Sequence, residues 1–239
     1  MQNMKGKTAV ITGANRGLGF AMSEKLASLG TKVIMVCRSQ KTGEEAVSKL
    51  KSRNLDIILK TADVETPKDI EKLAGEISEK FPLIDVLINN AGVNSEPGEV
   101  TIETINIGLF EKIMNINLRG TILMCKYFIP MLKRAPSGRI INFSSGLAQL
   151  SVPRMGPYPS YSISKTAVNA VTKLLADELK DTNVMVFSTD PGWVKTDMGG
   201  PEAPLNIQEG IDTPIWLATE DADKLQSGYF YKERKILGW

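Results

Sequence analysis

Thr8-Ala9-Val10-Ile11-Thr12-Gly13-Ala14-Asn15-Arg16-Gly17-Leu18-Gly19 decides the fold of this chain. An apolar, β-branched run passes into a glycine-rich turn. The turn opens a segment whose apolar residues Leu18, Met22, Leu26 and Leu29 recur at helical spacing, with Gly30 as its stop. A strand feeding a helix through glycines brings backbone N–H groups and the positive end of a helix dipole to one spot, an arrangement that receives a pyrophosphate. The spacing G-x-x-x-G-x-G is wider in its first gap than the common dinucleotide fingerprint. By itself it also suits a ligand-free βα turn, which uses glycine for positive φ anyway.

Outward from that turn the same alternation repeats. Strands are predicted over Thr8–Thr12, Lys32–Cys37, Asp56–Lys60, Val86–Asn89, Arg139–Phe143, Val184–Ser188 and Tyr229–Tyr231. Helices are predicted over Leu18–Leu29, Lys41–Lys51, Pro67–Lys80, Ile102–Leu132, Tyr161–Lys180 and Gln208–Ala218. The strand runs are nearly all apolar, as expected where helices cover both faces of a parallel sheet. With right-handed crossovers this gives one α/β domain over 1–239, a Rossmann fold with a doubly wound parallel sheet of about seven strands. The stretch 192–205, with Gly199, Gly200, Pro201 and Pro204, reads as a mobile flap.

Composition removes whole classes of chemistry. The 239 residues contain no histidine, so Ser-His-Asp and Cys-His triads, HExxH zinc sites and His-dependent deaminases are excluded, and no metal site is expected. Only two cysteines, Cys37 and Cys125, argue against a disulfide framework and for a reducing compartment. With 29 basic and 27 acidic residues, the net charge of +2 makes no case for nucleic acid or an anionic membrane. The N-terminus shows no apolar leader, and the longest apolar stretch, Thr121 to Leu132, is broken by Lys126 and Pro130. A cytoplasmic protein with a small-molecule partner is the expectation.

Two further patterns carry chemistry. Tyr161 and Lys165 lie four apart, on one helical face, where an ammonium is expected to lower a phenol toward proton exchange near neutral pH. Tyr158 fits less well, because residue 162 is serine. The second strand ends in Cys37-Arg38 where an NAD site would carry an acid for the ribose 2′-OH; Arg38, with Arg16 in the glycine turn, suits a 2′-phosphate instead. Ser145, or its neighbour Ser144, follows the fifth strand at the crevice edge, and Asn117 is expected to be buried in an apolar helix, where its amide needs partners.

The chain resembles the short-chain dehydrogenase/reductase family over nearly its whole length. The matching motifs are TGANRGLG (12–19), Asp63-Val64, NNAG (89–92), Asn117 in NLRGT, Ser145 in NFSSG, YSISK (161–165) and PGWVKTD (191–197), in the family's order. The resemblance, closest in kind to NADPH-dependent carbonyl reductases, implies NADP(H) as cofactor and Asn117, Ser145, Tyr161 and Lys165 as catalytic residues. It implies cofactor binding by Gly13, Asn15, Arg16, Gly17, Leu18, Gly19 and Arg38, with Asp63 and Val64 near the adenine and Asn90 and Gly92 where backbone approaches the cofactor. Lys165 is implied to hydrogen-bond the nicotinamide ribose beside Tyr161, and Pro191, Gly192, Val194 and Thr196 to meet the carboxamide. Asn117 is implied to hold a water relaying protons from Lys165, and Ser145 is favoured over Ser144.

The expected reaction is reversible reduction of a ketone or aldehyde to an alcohol. A 3-oxoacyl-(carrier protein) reductase and a non-catalytic NADP(H)-sensing protein are the alternatives. Leu147, Leu150, Met155, Tyr158, Trp193 and Met198 flank the motifs and suggest an apolar substrate. Relatives pair through the helices corresponding to 102–132 and 161–180, whereas monomeric carbonyl reductases carry a long insertion before the tyrosine. Only residues 146–160 separate Ser145 from Tyr161, so a homodimer or homotetramer is expected.

Overall fold

The computed structural model describes residues 3–153 and 156–239. Met155, one of the expected pocket residues, lies outside them. Eight strands form one sheet in the order β3-β2-β1-β4-β5-β6-β7-β8: β1 Thr8–Thr12, β2 Lys32–Cys37, β3 Ile57–Thr61, β4 Val86–Asn89, β5 Gly138–Phe143, β6 Val184–Thr189, β7 Tyr229–Lys232 and β8 Lys235–Leu237. All neighbours are parallel except β7 and β8. The order reverses at β1, flanked by β2 on one side and β4 on the other, so a crevice opens beyond the C-terminal ends of β1 and β4.

Pleating sends neighbouring strand residues to opposite faces, and both faces are dry. Ile11, Met35, Ile88, Ile141 and Phe187 pack under α1 (Gly17–Ser28), α2 (Gln40–Lys51) and α7 (Ile207–Thr219), together with Met22, Leu26 and Leu217. Val10, Ile34, Leu87, Ile140 and Val186 pack under α3 (Pro67–Ser78), α5 (Gly120–Leu132) and α6 (Pro159–Glu178), with Ile70, Ile77, Phe128 and Leu179. Each such side chain contributes about 1.5–3 kcal/mol by leaving water, which explains the unbroken apolar strand runs.

The expected single helix over 102–132 is corrected. Thr101 and Thr104 close a polar turn, and Asn106 caps α4 (Ile107–Met114) by accepting from Leu109 N at 2.9 Å. A π-helical turn over Asn115–Arg119 then separates α4 from α5. The last helix pair also shifts: α6 begins at Pro159, whose fixed φ suits the first helical position, and ends before Lys180.

The eighth strand is likewise an addition to the expected seven. Glu233 and Arg234 make the β7–β8 turn at positive φ, held by an ion pair of Arg234 with Asp212 and by Arg234 N donating to Thr213 Oγ1. Beyond β8, Trp239 stacks on Phe230 with centroids 6.1 Å apart. Its carbonyl accepts from Ser151 N at 2.9 Å, and Gly238 O accepts from Gln149 Nε2 at 3.1 Å. Stretch 192–205 is stitched at both ends: Lys195 N donates to Leu205 O, Leu205 N donates to Trp193 O, and Val194 and Ala203 are buried. Among the described residues no helix is long and apolar enough to cross a membrane.

Candidate active site

The glycine turn is locked from two sides. Gly13 N donates to Val36 O at 2.9 Å, while Asn90 Nδ2 donates to Thr12 O at 2.9 Å and Gly13 O at 3.2 Å. Thr12 Oγ1 accepts from both Asn90 N and Ala91 N. Gly13 and Gly17 take positive φ, and a Cβ on Gly19 would press on Gly13 O and lie 2.6 Å from Asn90 Nδ2. The N-cap Arg16 makes no side-chain capping bond and no acid lies in the first turn of α1, so the helix presents its N-terminus to the crevice with no acid of its own there.

That crevice is a cleft of about 480 Å³. Its lining includes Gly13, Asn15, Arg16, Gly17, Leu18, Gly19, Arg38, Asp63, Val64, Asn90, Gly92, Tyr161, Lys165, Pro191 and Thr196, fifteen of the residues singled out from sequence. Gly192, Val194, Asn117 and Ser145 are not among the lining residues. Val194 is buried and turns toward α7, where a Cβ on Gly210 would meet its Cγ2. Gly192 bends at positive φ, its N–H donating to Asp190 Oδ1 at 2.9 Å. Arg16 pairs with Asp197 at 2.6 Å, an exposed ion pair on the cleft rim.

The opposite wall carries Ser144, Tyr161 and Lys165. Ser145 starts a short 3₁₀ turn, its Oγ accepting from Leu147 N, and its side chain acts to lower the pKa of the Tyr161 phenol. Ser144 lines the cleft and its Oγ donates to Lys165 O at 3.3 Å, while of the two serines it is Ser145 that acts on the Tyr161 phenol. Lys165 is buried, donates from Nζ to Phe143 O at 2.7 Å, and lies 5.6 Å from the centroid of the Tyr161 ring. Asn117 sits in the π turn. Its Oδ1 accepts from Val93 N at 2.8 Å, and its Nδ2 donates to Val93 O and Ser164 Oγ, each at 3.0 Å. The side chain thereby stitches the loop after β4 to α6.

Burial dominates the electrostatics of this wall. Burial pushes the Tyr161 phenol up to about 12, the Asp190 carboxylate adds to the rise, and the Ser145 hydrogen bond opposes it. Burial also pushes Lys165 down to about 8. The Lys165 ammonium faces the Tyr161 ring and the Phe143 carbonyl and is itself desolvated. Two acids escaped sequence reading. Asp190, buried, pairs with Lys232 at 3.0 Å, and Glu96, also buried, contacts the first turn of α6. Asp190 adjoins the PGWVKTD motif, which could have flagged it; Glu96 has no local signal.

Among the apolar candidates, Met198 lines the cleft, Trp193 and Leu150 are exposed, and Leu147 and Tyr158 both approach Gly156. Trp193 is fixed by Nε1 donating to Gly199 O at 2.7 Å. No group of acids and cysteines among the described residues is arranged to hold a metal ion.

A glycine-floored cleft at the reversal of a doubly wound sheet, faced by a serine, a tyrosine and a buried lysine, defines an α/β enzyme of the dinucleotide-dependent class. The family model for short chain dehydrogenases matches residues 7–204, and the chain belongs to that family. It is 31% identical to a short-chain dehydrogenase of Penicillium roqueforti, over 96% of both chains. It is 28% identical to mouse carbonyl reductase [NADPH] 1, covering 97% of this chain and 98% of that one. The NADPH-bound carbonyl reductase from chicken fatty liver superposes with a TM-score of 0.87 at 27% identity over 100% of each chain.

Proposed function

We propose that this protein is an NADPH-dependent reductase of ketones or aldehydes. The observation that carries the reading is Tyr161 with the buried Lys165 one helical turn on, both lining a cleft whose other wall is the uncapped glycine turn, with Ser145 holding the phenol's pKa down. The donor set fits the cofactor of the mouse and chicken relatives. The N–H groups of the turn and α1 suit a pyrophosphate, and Arg38 with Arg16 suits the 2′-phosphate. Asp63 and Val64 would then flank the adenine, Asn90 and Gly92 would offer close backbone, Lys165 and Tyr161 would meet the nicotinamide ribose, and Pro191 and Thr196 would meet the carboxamide, with Gly192 and Val194 shaping that turn from outside the cleft lining. Bound NADPH supplies the hydride.

The chain's own residues supply the rest. Ser145 orients the substrate oxygen, and Tyr161, which burial keeps protonated at neutral pH, donates its proton to that oxygen. Lys165 holds positive charge beside the ring, favouring the phenolate left behind. Asn117 keeps the loop after β4 and α6 in register around both. Leu147, Tyr158, Trp193 and Met198 favour an apolar carbonyl compound. A carbonyl panel run with NADPH and NADH side by side should show reduction that prefers NADPH. Tyr161→Phe should cut kcat about 10²–10⁴-fold; wild-type rates in that variant would defeat the reading.

We also propose that the protein is a homodimer or homotetramer. Ile107, Ile122, Ile163 and Leu174 stand exposed on α4, α5 and α6, the helices through which the expected pairing runs. Sedimentation at micromolar concentration should give a dimer or tetramer, and a monomer would refute it.

A further inference from the structure

Helix α6 has no local cap. Its N-cap residue, Tyr158, makes no side-chain capping bond, and the following Pro159 offers no acceptor side chain. The missing acceptor comes from far away in sequence. Glu96, on the loop that follows β4, receives Ser160 N at 3.1 Å and Ser160 Oγ at 2.7 Å on Oε1, and Tyr161 N at 3.0 Å on Oε2. The residue is 8% exposed, and the three hydrogen bonds of its carboxylate all come from the first turn of α6. A buried carboxylate is costly unless fully hydrogen-bonded, and bonds from backbone N–H to a charged acceptor are among the strong ones. The positive end of the α6 dipole lies at the same place.

The loop reaches α6 twice. Val93 is tied through Asn117 to Ser164, and Glu96 grips Ser160 and Tyr161. Asn90 and Gly92, at the start of that loop, line the cleft. Tyr161 is therefore held on both sides by one segment that begins where the cofactor is proposed to lie.

We propose that Glu96 is a positioning residue for Tyr161: its carboxylate clamps the Ser160 and Tyr161 amides and so fixes the phenol against Ser145. The proposal rests on Tyr161 being the proton donor. Glu96→Gln keeps the size of the side chain and removes half of its acceptors for this turn. In the full-length protein, hydrogen exchange at Ser160 and Tyr161 should speed up by about tenfold or more, with residues 170–178 unchanged. With NADPH and 4-nitrobenzaldehyde as probes, kcat should fall by about ten- to a hundredfold, since small misplacements of a reacting group cost that much. KM for NADPH should move by less than about twofold.

Unchanged exchange at 160–161 would overturn the proposal. So would faster exchange throughout 159–178 with a collapsed Tm, which would make Glu96 an ordinary structural residue. The exchange readout holds whichever carbonyl the enzyme prefers. Tyr161→Phe run in parallel separates the two readings: full activity there removes Tyr161 as donor, whereas an inactive Tyr161→Phe beside a fully active Glu96→Gln removes only the clamp.

Discussion

The two walls of the cleft are made of different material. Around Gly13, Gly17, Gly19 and Asn90 the wall is backbone, shaped by positive φ and by contacts too close for a Cβ. Around Tyr161 and Lys165 it is side chain, with the buried acids Asp190 and Glu96 close to Tyr161 and outside the lining. The first wall has its shape at no electrostatic cost and has almost no room for substitution. The second has room but carries the cost of desolvation: moving Lys165 from its ordinary 10.5 to about 8 corresponds to about 3 kcal/mol.

The largest effect outside the proton donor itself is expected from Gly19→Ala. Its Cβ must displace Gly13 O and Asn90, so stability should drop by about 2–4 kcal/mol and NADPH binding should be lost, as read by calorimetry and nucleotide titration. A variant that melts and binds like wild type would show that the backbone wall yields.

Lys165→Met probes the other wall and should act in the opposite direction on stability. The folded pKa of Lys165, about 8, lies below its unfolded value of 10.5, so the unfolded state binds more protons between those values. Wild-type stability should therefore climb as pH rises from 8 toward 10.5, the burial cost being fully present below pH 8. Tyr161 runs the other way, its folded value of about 12 exceeding the ordinary 10, so stability should fall as pH passes 10 toward 12. Urea unfolding across pH 7–11 should show the climb in wild type and a flatter profile in Lys165→Met. At pH 7 the variant should be more stable by about 1–3 kcal/mol while inactive. A destabilised variant would mean that the ammonium is anchored by more than the Phe143 carbonyl.

The backbone wall was legible in the sequence because few residues can do its work. Glycine at 13, 17 and 19, Thr12 and Asn90 are each demanded by a turn or a hydrogen bond that other residues cannot supply. The strands were legible for a related reason, since burial on both faces leaves only apolar runs. The side-chain wall was half legible: the helical spacing brought Tyr161 and Lys165 together, but not the direction in which burial moves them. Glu96 was invisible because its partners are 64 and 65 positions away. The turn before β8 lacked the usual Asn-Gly signal, its positive φ values being carried by Glu233 and Arg234 with help from Asp212. The break at Asn115–Arg119 follows from tertiary stitching by Asn117, which no helical periodicity records.

The clasp of Gly238 and Trp239 on Gln149 and Ser151 bears on how the protein is handled. A purification tag or fusion partner attached after Trp239 would emerge beside Gln149 and Ser151, a few residues from Ser145. One attached ahead of β1 would leave from the N-terminal ends of the strands, away from the crevice at their C-terminal ends.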